Sequence, residues 1–245
     1  MRAVVFAYHD VGVNCLKELL KAGIQIDLVV THQDDPNENV WFGSVAKLCQ
    51  EKNIAYITPS SSELVNLIPQ LQALAPDYIF SFYYRHMIPA QILACAKIAA
   101  LNMHGSLLPK YRGRAPVNWA ILHGETETGA TLHIMEEKPD AGDIVGQSAV
   151  SIGSDETATD VFAKVSKAAV NVIHEAIPAL LQGNVPRKPN DLQKGSYFGG
   201  RKPADGQIHW NQTAKQVHDL VRAVAPPYPG AFTDHNGKAM IVART

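Results

Sequence analysis

The sequence predicts an α/β fold, in which a doubly wound, mostly parallel sheet is followed by a small C-terminal module. Short apolar runs rich in β-branched and aromatic residues alternate with amphipathic segments through the first half of the chain. This alternation is typical of right-handed strand–helix–strand units, in which helices cover both faces of a parallel sheet. A ligand crevice is therefore expected at the carboxyl ends of the strands.

Five strands are predicted in this half of the chain. They are "AVVFAY" (3–8), "QIDLVVTH" (25–32), "IAYIT" (54–58), "DYIFSFY" (77–83) and "KIAALNMH" (97–104). Helical spacing of apolar residues marks "VGVNCLKELLKAG" (11–23), "SVAKLCQEKN" (44–53) and "SSELVNLIPQLQAL" (61–74). Gly23 is the expected end of the first helix, because glycine readily adopts the left-handed conformation that closes helices.

The pattern changes after Trp119. Two more strands are predicted in "GETETGATLHIM" (124–135) and "AGDIVGQSAVSI" (141–152), followed by a long helix that begins at Ser154 or Asp155 and ends at Gly183. Residues 1–186 thus form one domain, the Gly-, Pro- and Lys-rich residues 187–203 a linker, and residues 204–245 the start of a C-terminal subdomain. The final strand, "KAMIVART" (238–245), either pairs within this module or needs a larger C-terminal domain, so a truncated subdomain is expected.

Composition narrows the function classes. The 245 residues are 46% hydrophobic and 18% charged with a formal net charge of −1, and they contain no long basic run. A general nucleic-acid binder is therefore disfavoured and small-molecule partners are favoured. No signal sequence or membrane span is predicted, so the expected compartment is the cytoplasm. Cys15, Cys49 and Cys95 are predicted to be buried free thiols.

Three familiar site patterns are absent from the sequence. The first strand–helix turn contains only Gly12 in place of a G-x-G-x-x-G motif, so no NAD site is predicted. Ser106 lacks the second glycine of a nucleophile elbow and is interpreted as a turn or capping hydroxyl. His104 and His133 have no metal-ligand spacing, so no metal is predicted.

Asn102 and His104 form the candidate catalytic pair. Residues two apart on a strand point to the same face, so the spacing directs an amide and an imidazole together into the expected crevice. Such a pair suits acyl transfer, because the imidazole can take a proton from an attacking amine while the amide stabilises an oxyanion. The alternative is an Asn in a strand-end turn and a His bonded to backbone.

A carboxylate is expected to orient the imidazole and stabilise its protonated form. The segment "EEKPDAGDIV" (136–145) offers Asp140, in a tight turn between two predicted strands, and Asp143 three residues later. Spacing alone does not decide between these two carboxylates.

The segments "LNMHGSLLPKYRGRAPVNWAI" (101–121) and "GETETGATLHIMEEKPDAGDIV" (124–145) resemble the N10-formyltetrahydrofolate-dependent formyltransferase family. The family's N-x-H, S-L-L-P, R-G and D-x-G-x-I patterns are matched at Asn102 and His104, at 106–109, at 112–113 and at 140–144. The resemblance implies a Rossmann-like catalytic domain over residues 1–186, catalytic roles for Asn102 and His104, and Asp140 as the carboxylate. It also implies N10-formyltetrahydrofolate as co-substrate.

Further segments, "VVFAYHD" (4–10), "THQDDPNEN" (31–39), "FSFYYRH" (80–86) and "VRAVAPPYPGAF" (221–232), are similar to one branch of this family. That branch formylates UDP-4-amino-4-deoxy-L-arabinose in lipid A modification and polymyxin resistance, and in it the formyltransferase is joined to an NAD-dependent dehydrogenase domain. The similarity implies a folate site at His86, Met87, Ile88, Arg114, Glu136, Glu137, Lys138, Pro139 and Asp140.

Three acceptor classes remain open: a sugar nucleotide, a charged tRNA, or no acceptor in a binding module that kept the fold. A tRNA-specific relative is expected to carry a basic loop after the second strand, whereas this loop contains Asp34, Asp35 and Glu38. Candidate ligands for a nucleoside diphosphate are Arg112, Arg114, Arg201 and Arg222, with Tyr111 and Tyr228 for the base, and Lys110 is expected to be a solvated loop residue.

The predicted function is therefore formyl transfer to the 4-amino group of UDP-4-amino-4-deoxy-L-arabinose. The alternatives are dTDP- or GDP-linked 4-amino-dideoxyhexoses and, with less support, methionyl-tRNA. A homo-oligomer, and a dehydrogenase domain that is joined to the chain or works with it, are further expectations of the resemblance.

Overall fold

The computed structural model describes residues 1–34 and 40–245. The strands are β1 (Arg2–Ala7), β2 (Gln25–Val30), β3 (Tyr56–Ile57), β4 (Tyr78–Phe82), β5 (Ala99–His104), β6 (Arg112–Gly113), β7 (Glu127–Ile134), β8 (Ile144–Ser151), β9 (Tyr197–Phe198), β10 (Ala231–His235) and β11 (Lys238–Val242). The α-helices are α1 (His9–Lys21), α2 (Val45–Lys52), α3 (Ile68–Leu74), α4 (Ala90–Leu93), α5 (Pro116–Leu122), α6 (Ala158–Leu181) and α7 (Ala214–Ala223).

A seven-stranded sheet in the order β3-β2-β1-β4-β5-β7-β8 forms the centre of the protein. The first five strands pair in parallel, whereas β7 runs antiparallel to both of its neighbours. The prediction of an α/β fold with a mostly parallel sheet is therefore confirmed.

The parallel strands consist mostly of apolar residues because helices cover both faces of the sheet. Along β1, Ala3, Val5 and Ala7 pack into one core cluster with α1 and α6, while Val4 and Phe6 pack into a second cluster with α3 and α4. Successive side chains of a strand point to opposite faces, so β1 contributes to both cores.

Helix α6 begins later than the sequence predicted. Ser154 donates to Asp155 at 2.7 Å, and the helix is instead capped at Thr157, whose N–H donates to Asp160 Oδ2 at 2.9 Å. This Thr-x-x-Asp pair is a capping box, which satisfies N–H groups that the first helical turn leaves unpaired. Among the described residues, no helix combines the length and apolar character needed to cross a membrane.

The C-terminal strand run pairs within its own module, since β11 forms an antiparallel hairpin with β10. The predicted linker contains a short strand. Its residues Tyr197 and Phe198 form β9, which pairs in parallel with β6 beside the end of β5. The segment thus packs against the catalytic domain, because its backbone supplies the hydrogen-bond partners of β6.

Candidate active site

A cavity of about 850 Å³ opens at the carboxyl ends of β1, β4 and β5, where a parallel sheet is expected to bind ligands. Its walls include His9 just after β1, Tyr83 just after β4, and His104 at the end of β5. Asn102 and Asp140 also line it. The three residues predicted to be catalytic therefore meet in one cavity.

The turn between β7 and β8 brings Asp140 to β5. Asp140 Oδ1 lies 3.5 Å from His104 Nδ1 and 3.5 Å from Asn102 Nδ2. The side chains of His104 and Asp140 are 7% and 11% exposed, so solvent poorly screens the negative charge of Asp140 from His104. Asp143, the other carboxylate that spacing allowed, does not line the cavity, and its backbone carbonyl accepts from Ile134 at 2.9 Å in the strand ladder.

A backbone carbonyl, rather than Asp140, orients the imidazole of His104. His104 Nε2 lies 2.8 Å from the carbonyl oxygen of Tyr111. Because a carbonyl oxygen only accepts, Nε2 carries the ring proton, and Nδ1 is the proton acceptor of the neutral ring. This free nitrogen faces Asp140, which is placed to stabilise a proton that arrives there.

Asp140 is held as a carboxylate. Burial alone raises its pKa, but the His104 and His133 imidazoles in their protonated forms and the Gly113 N–H outweigh burial and hold the pKa of the Asp140 carboxyl well below its usual range. The Gly113 N–H donates to Oδ2 at 2.8 Å, and His133 Nε2 lies 3.4 Å from Oδ1. Asp140 therefore keeps its negative charge through the neutral pH range.

His133 is a site residue that the sequence reasoning missed, since it was considered only as a metal ligand. It pairs across the sheet with Asn102, and its Nδ1 lies 2.7 Å from the carbonyl oxygen of Ile134. Nδ1 thus carries the ring proton, and Nε2 accepts from Asn102 Nδ2 at 3.1 Å. The amide of Asn102 is fixed by this bond, and its second N–H has only Asp140, at 3.5 Å, as a protein acceptor among the described residues.

Most of the residues predicted to bind folate line the cavity: His86, Met87, Ile88, Arg114, Glu136, Pro139 and Asp140. Glu137 and Lys138 are exposed and do not line it. Apolar side chains that the sequence reasoning did not identify, Leu93 and Met135, join Ile88 in the wall. The sequence reasoning missed Leu93 and Met135 because only the folded structure shows which apolar side chains reach the cavity.

Three of the residues predicted to bind the acceptor, Arg114, Arg201 and Tyr228, line the cavity. The guanidinium of Arg201 lies 4.8 Å above the Trp119 ring and donates to the Asp205 carbonyl at 2.8 Å. Burial raises the pKa of Tyr228. Tyr228 Oη is therefore a neutral hydroxyl at the cavity wall.

Three other predicted acceptor residues do not line the cavity. Arg222 is 7% exposed and forms a 2.8 Å ion pair with Asp219, one helical turn earlier, while donating to the carbonyls of Gly153 and Glu156. Its guanidinium is thus used in packing α7 against the loop before α6.

Tyr111 and Arg112 are also buried, at 7% and 9% exposure. The Tyr111 hydroxyl donates to Glu125 at 2.8 Å, on the same carboxylate that Lys110 approaches at 3.4 Å. Ser106, predicted to be a turn hydroxyl, donates to the Lys110 carbonyl at 2.6 Å.

Comparisons with known proteins identify related sequences and folds. The family model described as "Formyl transferase" matches residues 1–177, and the model described as "Formyl transferase, C-terminal domain" matches residues 201–245. A 4-N formyltransferase from Francisella tularensis is 26% identical, with a TM-score of 0.79 over 99% of this chain and 96% of that chain.

Two further solved structures share the fold. WlaRD, a sugar 3N-formyltransferase solved in the presence of dTDP and 5-N-formyl-THF, is 22% identical, with a TM-score of 0.78 over 98% of this chain and 85% of that chain. The N-formyltransferase from Helicobacter canadensis, solved with folinic acid and dTDP-3-aminofucose, is 21% identical, with a TM-score of 0.73 over 98% of this chain and 86% of that chain.

Proposed function

Because this chain belongs to the formyl transferase family, we propose that it transfers a formyl group from N10-formyltetrahydrofolate to an amino group of a nucleotide-linked sugar. The observation that carries the proposal is the convergence of Asn102, His104 and Asp140 at one cavity wall. When an amine attacks a formyl carbon, the reaction requires an amide donor, a neutral imidazole and a carboxylate.

Each side chain has one task in this reaction. His104 Nδ1 accepts the proton that the amine loses as it attacks, because the Tyr111 carbonyl keeps the ring proton on Nε2. Asp140, 3.5 Å from Nδ1, stabilises the resulting imidazolium, which would give this proton to N10 of the folate as the bond between N10 and the formyl carbon breaks. The Asn102 amide, fixed by His133, donates its second N–H to the oxyanion that develops on the formyl oxygen.

The cavity fits a folate. Ile88, Leu93 and Met135 are apolar residues of the cavity wall, which suits a flat heteroaromatic ring. Arg114 and His86 are polar groups in the same cavity. When bound there, N10-formyltetrahydrofolate would supply the one-carbon group. The protein's own residues then place the amine and exclude water from the reacting atoms.

Three observations support a sugar nucleotide as acceptor. The cavity contains Arg201 for a diphosphate, and Tyr228 provides an aromatic surface in the same cavity. The Francisella tularensis relative is named as a 4-N formyltransferase, and the relatives solved with dTDP or dTDP-3-aminofucose share the fold. The acidic loop disfavours tRNA, although only Asp34 of its three acidic residues is described and Asp35 and Glu38 lie outside the described residues.

Within this class we favour UDP-4-amino-4-deoxy-L-arabinose, on the strength of the segments that resemble that branch. The test is a formyl-transfer assay with N10-formyltetrahydrofolate and four acceptors: this UDP-pentose, a dTDP- and a GDP-linked 4-amino-dideoxyhexose, and methionyl-tRNA. Selective turnover of the UDP-pentose supports a role in lipid A modification. Turnover of a hexose alone reassigns the acceptor, and turnover of none contradicts the proposed function.

A further inference from the structure

The connecting segment, defined as residues 188–198, returns to the catalytic domain at two places. At one end Lys188 and Ile144 exchange two backbone hydrogen bonds, each of 2.8 Å, at the start of β8. At the other end Phe198 accepts from the Arg114 N–H at 2.9 Å, within the β6–β9 pairing. The segment therefore bridges the loop after β5 and the turn before β8, which carry groups that contact His104 and Asp140.

The connecting segment first contacts Tyr111, whose carbonyl is the hydrogen-bond partner of His104. Ser196 accepts the Tyr111 N–H through Oγ at 2.9 Å and the Arg112 N–H through its carbonyl at 3.0 Å. The Tyr111 carbonyl in turn accepts from His104 Nε2. The peptide that fixes the ring proton of His104 is thus held from behind by Ser196.

The second contact is made to Gly113, whose N–H donates a hydrogen bond to Asp140. Gly113 has φ +96°, and a Cβ at this position would collide with the carbonyl oxygen of Phe198. Only glycine allows β9 to lie this close, and the close packing fixes the Gly113 N–H that donates to Asp140 Oδ2 at 2.8 Å.

The third contact is made by Asn190 to the turn that carries Asp140. Asn190 Nδ2 donates to the carbonyl of Asp140 at 3.1 Å and to the carbonyl of Gly142 at 3.2 Å. Asp140 itself has φ 51°, a conformation that L-residues rarely adopt without support from their surroundings. A Cβ on Gly142 would collide with the Ile134 carbonyl, so β7 confines the turn from another side.

We propose that Asn190, on the connecting segment, is a positioning residue, which fixes the Asp140 carboxylate beside His104 by holding the Asp140 and Gly142 carbonyls of its turn. The inference rests on the proposed function, in which Asp140 stabilises the protonated His104. Asn190 itself does not line the cavity. Its effect on catalysis passes through Asp140.

The test is the substitution Asn190→Leu, which keeps a similar side-chain volume and removes both donors. We expect kcat to fall about 10-fold or more, because a shift of about 1 Å at a catalytic group costs up to about 100-fold, while KM for the folate stays within about 2-fold. The acidic limb of the kcat profile should move to lower pH, in the same direction as for Asp140→Asn. An unchanged kcat and pH profile would overturn the proposal.

The matched control is Asp191→Asn on the same segment. Asp191 forms an exposed ion pair with Lys194 at 2.9 Å and makes none of the contacts to Asp140. This variant should keep the wild-type kcat and pH profile. If Asn190→Leu does not fold, Asn190→Ser replaces it: one hydroxyl donor can serve only one of the two carbonyls, so kcat should still fall, and an unchanged value again overturns the proposal.

A double-mutant cycle separates positioning from general structural damage. In an Asp140→Asn background, Asn190→Leu should have little further effect on kcat, because the group that Asn190 positions is already gone. An equal fold-loss in both backgrounds would overturn the proposal.

One readout does not depend on the acceptor. The His104 titration can be followed by NMR in wild type and Asn190→Leu, with the resonance among the ten histidines assigned by comparison with His104→Gln. We expect its midpoint to move to lower pH in the variant. Wild-type protein that formylates no acceptor contradicts the proposed function, whereas an unmoved midpoint contradicts only the role of Asn190.

Discussion

Replacing Asp140 by Asn keeps the shape of the side chain and removes the charge beside His104. In the wild-type protein the carboxylate lies 3.5 Å from His104 Nδ1 and accepts the Gly113 N–H at 2.8 Å. If Asp140 stabilises the imidazolium, the variant should bind protons at His104 less readily. The acidic limb of the kcat profile should then move to lower pH, while the maximal kcat falls because the base is weaker.

The structure sets the size of the effect. Two unit charges 3.5 Å apart attract by about 5 kcal/mol at an effective dielectric constant of about 20, before the desolvation of either group is subtracted. Opposite charges at such distances shift titrations by about 1 to 3 pH units in proteins. We therefore expect the limb to move by about 1 to 3 pH units and kcat at pH 7 to fall about 100-fold.

The assay is initial-rate formyl transfer from pH 5 to 9 with saturating substrates, on wild type, Asp140→Asn and the control Asp143→Asn. Asp143 is three residues away and does not line the cavity, so its variant should retain the wild-type profile. A profile for Asp140→Asn that coincides with wild type would refute the assigned role of the carboxylate, and so would an equal shift in the control.

The same substitution has a stability consequence. The pKa of Asp140 is depressed in the folded protein, so its charge stabilises the fold above the pKa of an unfolded aspartate, about 4, and this stabilisation is lost as the pH falls further. Urea unfolding should show wild type more stable than Asp140→Asn at pH 7, with the difference shrinking at pH 3.5. A difference that grows on acidification contradicts the depressed pKa.

Four further substitutions test the remaining assignments. His104→Ala should lower turnover by about 100- to 10,000-fold while folate binding, measured by calorimetry, survives; lost binding makes His104 a ligand-positioning residue. Asn102→Ala should lower kcat about 100-fold or more, and a near-normal rate removes it as oxyanion donor. Arg201→Ala should raise KM for the sugar nucleotide about 10-fold with little change in kcat, whereas Lys110→Ala, outside the cavity, should change neither. Arg222→Ala should lower the free energy of unfolding by about 1 to 3 kcal/mol, because Asp219 loses its buried partner and keeps only the ion pair with Lys215. A changed KM in the protein that remains folded would show that Arg222 contacts substrate.

Local pattern predicted the strands of the sheet and the shared direction of Asn102 and His104. The apolar runs with helical segments between them predicted the parallel strands, because burial on both faces demands apolar residues at successive positions. The two-residue spacing of Asn102 and His104 predicted a shared direction, since alternation along a strand is a property of the backbone itself. Family resemblance, rather than spacing, selected Asp140.

The tertiary structure decided which polar groups surround that pair. Asp140 is favoured over Asp143 by contacts from Gly113 and Asn190, which lie 27 and 50 residues away along the chain. The same holds for Arg222, which looked available in the sequence and is used by Asp219 and the loop before α6. Side chains in turns and helix ends take their direction from distant partners. The sequence by itself therefore determined the sheet and the strand edge that carries Asn102 and His104, and only folding determined the charges and carbonyls that surround them.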